Sequence, residues 1–479
     1  MFYNKGIFDE KSTRMTLIKS ISGIRGTIGN KVGENLTPLD TVKFTSAFGF
    51  WLIKRNNNKR IKVVIGRDAR ISGKMISGLV SETLIGLGID VLDLGLSTTP
   101  TVEVAVAMEK AQGGIIITAS HNPKQWNALK LLNEKGEFIN AKDGEEVLKI
   151  AEDESFEFAE VDDLGKFSKR ADYIEKHINE VLKLKLVDVE AIKKANFKVV
   201  VDAVNSTGGI AIPALLDKLG VEYIKLYCEP NGKFPHNPEP LPEHLTEISA
   251  LVVKEKAHLG IVVDPDVDRL ALVCEDGSMF GEEYTLVACA DYVLKNTKGN
   301  TVSNLSSSRA LRDVTEKYQQ KYNASAVGEV NVVEMMKATN AVIGGEGNGG
   351  IIYPESHYGR DSLVGVALFL SHLAHTKMSC KELRNTYPSY FMSKNKIELT
   401  PMVNVDKILS EVIKLYSSEQ ISTVDGVKID FDTEWIHLRK SNTEPIIRIY
   451  TESTTQVYAD ALAQKIMIEI QEMSLKNIV

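Results

Sequence analysis

HLGIVVDPDVDRLALV, residues 258–273, runs an apolar segment, 260–263, straight into three carboxylates spaced by two: Asp264, Asp266 and Asp268. A continuous β-branched run of this kind reads as a strand buried on both faces, as in a parallel sheet. The same grammar recurs in IKVVIGRDARISG (61–73), GGIIITASHNP (113–123), FKVVVDAVNSTGG (197–209) and NAVIGGEGNGG (340–350). In each, a β-branched run ends in a polar, glycine-containing loop, and a helical stretch is expected to follow. Strands that alternate with helices give an α/β architecture. Ligands of such sheets gather at the carboxyl edge of the strands, and every motif considered below lies at such an edge.

Between these strands, LVSETLIGLG (79–88) and IAIPALLDKLG (210–220) are amphipathic helical stretches ending in glycine, a helix-stop signal. The acidic, polar stretch around 150–175 reads as a connection between a first and a second domain. A proline-rich loop, EPNGKFPHNPEPLPEH (229–244), falls inside the second. Residues 276–390 read as a third α/β unit. The tail differs: 396–416 is strand then helix, 435–453 is two strands around a turn, and a helix near 457–473 follows, which together make an α+β unit. The expected division is a loose extension over 1–14, then domains at 15–165, 166–276, 277–390 and 391–479. A chain of 479 residues agrees, at roughly 150 residues per domain.

Composition narrows the function classes. With 43% hydrophobic and 25% charged residues, the chain can fill several cores. A net charge of -7 argues against nucleic acid as a partner. No apolar run approaches the roughly 20 residues needed to cross a bilayer, and the first residues lack an apolar leader core, so no membrane partner is expected. Cys228, Cys274, Cys289 and Cys380 form no C-x-x-C pair, which fits a reducing cytoplasm and signals neither zinc nor a redox motif.

Three carboxylates packed as closely as Asp264, Asp266 and Asp268 repel one another and call for a cation. Oxygen ligands select a hard metal such as Mg²⁺, and three protein ligands leave positions for water or phosphate oxygens. A plain acidic surface turn is the alternative, disfavoured because such a turn seldom follows so apolar a strand. Ser120, in Thr118-Ala119-Ser120-His121-Asn122-Pro123, follows the apolar run 115–117, so its hydroxyl belongs at a strand's carboxyl edge as a nucleophile or phosphate carrier. It is not in a G-x-S-x-G elbow, so acyl transfer is not indicated. His121 adjoins it without having to face it, and Lys130 lies ten residues on as an acid/base or phosphate partner. Taken singly, this serine and this lysine read equally well as a strand-end turn and a solvated surface residue.

Basic loops complete the set. Arg25 sits between glycines in Ser22-Gly23-Ile24-Arg25-Gly26, where backbone can approach an anion. Residues 66–74 superficially look like a P-loop, but six residues separate the glycines and Met75 stands where Ser or Thr is required, so that reading is rejected. Arg439-Lys440-Ser441-Asn442-Thr443-Glu444-Pro445, with Arg448 beyond it, offers two guanidinium forks and short polar side chains for a phosphate. Gly344-Gly345-Glu346-Gly347-Asn348-Gly349-Gly350 can bring a carboxylate and an amide to a small polar ligand.

In this order, S-G-I-R-G, T-A-S-H-N-P, D-P-D-V-D-R, G-E-G-N-G-G and R-x-S-N-T-E-P closely resemble the motifs of the α-D-phosphohexomutase family, over a span from about Met15 onward. The resemblance implies three related α/β domains plus a C-terminal α+β domain around a central cleft. It implies that Ser120 carries the phosphoryl group, that Mg²⁺ is held by Asp264, Asp266 and Asp268 with an oxygen from phosphorylated Ser120, and that Lys130, Arg25 and His121 form the catalytic surroundings. It assigns Arg439, Ser441, Asn442, Thr443 and Arg448 to the substrate's phosphate, and Glu346, Asn348 and Arg269 to the rest of the substrate. The expected partner is a hexose phosphate, with the protein a monomer or homodimer in the cytoplasm.

Two departures bear on the sugar. Asn348 and Gly350 stand where many members carry serine and histidine, and Glu329 stands where others carry a basic residue. The G-E-G-N-G-G form is most similar to archaeal-type phosphoglucosamine mutases, with phosphomannomutase or phosphoglucomutase activity as the alternative. More remote readings are an aspartyl phosphatase of the haloacid dehalogenase type, with Asp264 as nucleophile, and a non-catalytic phosphosugar sensor. The first leaves Ser120 idle, and the second leaves the metal, serine and lysine residues without a role.

Overall fold

The structure, a computed structural model, describes residues 15–20, 23–57, 60–398, 404–440 and 446–476. The expected extension at 1–14 and the turn residues Ser441, Asn442 and Thr443 lie outside the described residues.

One four-strand pattern is built three times. In the first unit Lys62–Arg67 pairs in parallel with Asp90–Leu96 and with Gly113–Ile117, and Gly113–Ile117 pairs antiparallel with Trp126–Leu132. Lys198–Asp202, Glu222–Leu226, Leu259–Val263 and Leu270–Cys274 repeat this order and direction. Asn300–Asn304, Tyr322–Ser325, Ala341–Glu346 and Gly350–Ile352 repeat it again. The first sheet is extended to seven strands by Ile18–Ser20 and Gly23–Thr27 at one edge and Phe167–Lys169 at the other. Phe167–Lys169 thus comes from the stretch read as a connection, past the expected boundary at 165.

This pattern corrects one expectation. After Gly113–Ile117, Leu259–Val263 and Ala341–Glu346 the chain returns as an antiparallel strand, not as a helix. A helix does follow the other two loops, as Gly73–Gly86 and Gly208–Leu219. The serine, aspartate and glycine motifs are therefore the three equivalent hairpin connections of three equivalent sheets. The second helix ends as its sequence indicated, on Gly220 in the left-handed region at φ 67°.

Helices cover both faces of the first sheet, with one apolar cluster containing Phe48, Ile65 and Ile117 and another containing Val64, Val102 and Ile116. The alternation of Val63, Val64 and Ile65 between these clusters is the period of a strand buried on both sides. The second and third units are less separate. A single cluster runs from Ile174 through Leu272 and Phe280 to Tyr387, so the two units share one core, while each keeps a separate cluster on the other face of its sheet. Beyond Phe391 the sheet is wholly antiparallel, and helices Val405–Leu415 and Gln456–Lys476 pack Ile408, Val412, Leu462 and Ile466 against it. Among the described residues no helix is long and apolar enough to cross a membrane, and all four cysteines are free thiols.

Candidate active site

The three hairpin loops face one cleft of about 720 Å³, and Arg25 and Arg448 line it as well. Ser120 is buried with φ 46°, a left-handed backbone that a serine adopts only under restraint. Arg70 supplies the restraint. All its guanidinium N–H groups are used: Nε donates to Asp68 Oδ2 at 3.0 Å, and Nη1 to the carbonyls of Pro123 and Trp126 at 2.7 and 3.0 Å. Nη2 donates to the carbonyls of Ser120 and Asn122 at 2.5 and 2.6 Å. One buried side chain thereby fixes the whole serine loop.

The Ser120 hydroxyl donates to Asp264 Oδ2 at 2.6 Å, across the junction of the first and second units. The aspartate loop is wound tightly: the N–H groups of Asp268 and Arg269 donate to Asp264 Oδ1, and Val267 takes φ 65°. Thr99, which opens helix Thr99–Met108, donates to Asp266 through its N–H and its hydroxyl, at 2.9 and 2.6 Å. Lys130 Nζ donates to Asp266 Oδ2 at 2.8 Å and to Asp268 Oδ2 at 3.3 Å. Lys130 is buried, not a solvated surface residue.

These contacts set the titration of the cluster. Burial raises the Asp264 carboxyl well above its usual value, and the charges of Asp266 and Asp268 add to this. Burial would also raise Asp266, but the Lys130 ammonium together with hydrogen bonds from Lys130, Thr99 and Asp264 outweighs it and holds the group below its usual value. For Lys130, burial pulls the pKa down, yet Asp266 and Asp268 leave it raised. His121 Nδ1 is 3.4 Å from the Ser120 hydroxyl, and burial with the neighbouring Arg269 and Arg360 pushes its pKa down to about 2, so the ring is neutral.

A divalent cation fits the aspartates. Their ligand oxygens lie within 4.8 Å of one another. Lys130 and Arg360 occupy the Oδ2 atoms, whereas Asp266 Oδ1 and Asp268 Oδ1 are buried with no hydrogen-bond partner. A buried carboxylate oxygen without a donor is destabilising, and a cation that meets both oxygens would relieve this.

Arg360 is a residue the sequence did not single out. It donates to Asp268 Oδ2 at 2.7 Å, to Glu329 Oε2 at 3.0 Å and to Glu346 Oε2 at 3.0 Å. Glu329, conspicuous in the sequence as an acid in place of a base, is the partner that orients this guanidinium. Glu346 also accepts from Asn304 and the Gly328 N–H, so both its oxygens are engaged. Asn348 lines the cleft, and Gly349 lets the loop approach: at φ 86° its backbone lies where a Cβ would fall 2.4 Å from the Leu270 carbonyl oxygen.

The arginines converge from two ends. Arg439 and Arg448 are direct cross-strand partners between Trp435–Lys440 and Ile446–Ser453, a like-charge pairing that an anion would relieve. Burial lowers the Arg25 pKa and the charge of Arg448 lowers it further. Arg25 Nε and Arg269 Nε are buried donors without a hydrogen-bond partner, while Arg269 Nη1 reaches Glu239 of the proline-rich loop at 3.4 Å. Arg439 is not among the cleft-lining residues and pairs at 2.8 Å with Asp425.

A repeated α/β unit that focuses a restrained serine, an acidic triplet and unpaired guanidinium donors on one cleft defines an enzyme that handles phosphoryl groups. Four family models match in series: phosphoglucomutase/phosphomannomutase alpha/beta/alpha domains I, II and III over 17–158, 171–277 and 281–390, and the C-terminal domain over 396–469. A phosphoglucomutase/phosphomannomutase of Thermococcus kodakarensis is 35% identical over 461 residues, covering 95% of this chain and 98% of its own. A phosphoglucosamine/phosphogalactosamine mutase of Sulfurisphaera tokodaii is 32% identical over 451 residues, covering 93% and 97%. The crystal structure of a phosphoglucomutase/phosphomannomutase family protein from Burkholderia thailandensis shares the fold, with TM-score 0.80 at 24% identity over 96% of this chain and 97% of that one. The chain belongs to the phosphoglucomutase/phosphomannomutase family, the α-D-phosphohexomutases, and is an isomerase of that class.

Proposed function

We propose that the protein is a phosphoglucosamine mutase, interconverting glucosamine 6-phosphate and glucosamine 1-phosphate through phosphorylated Ser120 and a bisphosphosugar intermediate. The observation that carries the reading is the 2.6 Å contact between Ser120 Oγ and Asp264 beside two orphaned aspartate oxygens. A phosphate on that Oγ would stand against Asp264, so the phosphoserine is tolerable only with a cation among Asp264, Asp266 and Asp268. Mg²⁺ there would screen the charge on the transferring phosphoryl group.

In the forward half-reaction the bond from phosphorus to Ser120 Oγ breaks as a sugar hydroxyl oxygen bonds to phosphorus. The sugar hydroxyl gives up one proton and the departing Ser120 oxygen gains one; Lys130, an ammonium beside Asp266 and Asp268, is the acid/base candidate, protonating the serine oxygen and being restored by the proton from the sugar hydroxyl. After the bisphosphate turns over, its other phosphoryl group returns to Ser120. Arg269 and Arg448 hold whichever phosphate is not reacting, with Arg439, the cross-strand neighbour of Arg448, behind them and with Ser441, Asn442 and Thr443 of the adjoining turn, while Arg25 stays with Lys130 beside the phosphoserine. His121, neutral, fills the wall beside Ser120. Glu346 and Asn348 meet the sugar.

Two lines support the amino sugar. Glu329 and Glu346 place two carboxylates around one guanidinium in the cleft wall, and carboxylates at that point of an otherwise cationic lining favour an ammonium over a hydroxyl. Several relatives at 31–34% identity carry the name probable phosphoglucosamine mutase. The second reading, phosphoglucomutase or phosphomannomutase, is favoured by the name of the Thermococcus kodakarensis relative and by both carboxylates already being committed to Arg360. A panel of glucosamine, glucose and mannose phosphates decides between them. The proposal expects kcat/KM to be highest for glucosamine phosphate and is overturned if either neutral sugar is preferred by about tenfold, some 1.4 kcal/mol in transition-state binding. Free thiols and a small-molecule substrate suit a cytoplasmic reaction.

A further inference from the structure

We propose that His177, His357 and Asp361 form a second metal site, for a borderline transition ion of the zinc class, at the junction of the first three units. His177 Nε2 and His357 Nε2 converge on one oxygen, Asp361 Oδ2, at 2.9 and 3.1 Å. The three ligand atoms lie within 4.8 Å of one another. The rings stand at 78° to each other with centroids 6.0 Å apart, so the two nitrogens approach the shared oxygen from different directions. Asp361 Oδ1 accepts the N–H groups of Leu363 and Val364 at the start of helix Ser362–Thr376, which fixes the carboxylate and leaves Oδ2 pointing at the rings.

The outer atoms match what a metal-bound imidazole needs. A ring that ligates through Nε2 carries its proton on Nδ1, and that proton requires an acceptor. Thr101 Oγ1 lies 3.0 Å from His177 Nδ1, and Glu103 Oε2 lies 3.3 Å from His357 Nδ1. Glu103 is an independent pointer. It is 2% exposed, yet neither of its oxygens has a hydrogen-bond partner, and neither does His357 Nδ1. Two buried groups that face each other without closing a bond are costly. Ligation of a metal at His357 Nε2 puts the proton on Nδ1, and a small turn of the ring then satisfies both.

Two imidazoles and one carboxylate select zinc-class ions, not Mg²⁺, and three protein ligands leave one position for water. His177 comes from helix Tyr173–Val181, and His357 and Asp361 come from the loop before Ser362. Thr101 and Glu103 are on helix Thr99–Met108, whose first residue holds Asp266. The ion would join the second unit to the third, and Thr101 and Glu103 would tie the first to the same imidazoles.

The test uses the full-length protein, stripped with chelator, restored with excess Mg²⁺ and titrated with Zn²⁺ or Co²⁺ alone. One equivalent of zinc should survive dialysis against Mg²⁺ by elemental analysis, raise Tm, and with Co²⁺ give the visible absorption of a four-coordinate site. Asp361→Asn, which can still cap the helix, and His357→Gln should each weaken zinc binding by about 100-fold or more. Asp266→Asn should leave the zinc stoichiometry unchanged. The proposal fails if the wild-type protein retains no zinc and shows no Tm shift, or if Asp266→Asn removes the zinc while the other two variants keep it. Should a variant not fold, the cobalt spectrum of the wild-type protein decides alone: a weak octahedral spectrum overturns the site.

Discussion

Arg360 Nη2 lies 2.7 Å from Asp268 Oδ2, and the same guanidinium binds Glu346 at the end of the glycine-rich loop's strand. The sugar wall and the acidic triplet therefore share one side chain. Arg360→Lys keeps the charge but cannot span three carboxylates, because an ammonium is a point donor and not a fork. We expect kcat/KM to fall about 100-fold and the Mg²⁺ requirement to rise, with a smaller loss of stability than in Arg360→Ala. The alanine variant strands three buried carboxylates and should cost about 3–5 kcal/mol in denaturant unfolding. Unchanged Mg²⁺ dependence in Arg360→Lys would show that the two loops are not coupled.

Ser120→Ala tests the phosphoryl carrier. The variant should lose mutase turnover, and its intact mass should lack the phosphoryl increment expected in a fraction of the wild-type protein. Its stability should fall by about 1–3 kcal/mol, because Asp264 Oδ2 is left buried without its donor. Turnover that survives the substitution would transfer the role to another residue.

Much of this site could be read from the chain because its parts are local. Ser120, the aspartate triplet and Glu346 each lie at the end of an apolar run, so sequence order alone puts them at strand ends. Arg360 and Arg70 could not be found that way: their partners are 31 to 92 and 50 to 56 residues distant for most contacts, and nothing beside them in sequence marks them. The antiparallel strands that return after the three site loops stand where the sequence pattern predicts helices, although a physical signal for them exists. Six residues, 264–269, join Leu259–Val263 to Leu270–Cys274, whereas a parallel crossover needs about a dozen or more. The shared core of the second and third units was hidden because apolar periodicity tells which face is buried, not against what.

Arg70→Lys should act on the serine loop without touching substrate. Four carbonyls and Asp68 depend on its five N–H groups. A lysine can satisfy at most three acceptors. Leaving buried carbonyls unpaired costs about 1–3 kcal/mol each before relaxation, so Tm should drop by several degrees. The left-handed backbone at Ser120 should also relax, lowering kcat more than it raises KM. Wild-type kcat in a correctly folded variant would separate loop rigidity from catalysis.

His437 gives a pH-dependent clamp between the third and fourth units. It is fully buried on strand Trp435–Lys440, with Nδ1 2.9 Å from the Ser306 hydroxyl and Nε2 donating to the Asp425 carbonyl at 2.7 Å. Burial pushes its pKa down to about 4, the Asp425 carbonyl opposes this, and the charges of Lys428 and Arg439 reinforce it. Against an unfolded value of about 6.5, the folded protein binds fewer protons than the unfolded chain between those two pH values. The contribution of the neutral ring is thus complete above about pH 6.5 and is lost as pH falls toward 4, by on the order of 3 kcal/mol. His437→Gln retains a donor for the Asp425 carbonyl but does not titrate. Other carboxylates change charge over the same range, so the informative quantity is the difference between the two proteins in urea unfolding at pH 7 and pH 4.5. The variant should be less stable at pH 7, and the gap should narrow at pH 4.5; a gap that stays constant would mean that the ring binds its proton equally well in the folded and the unfolded protein.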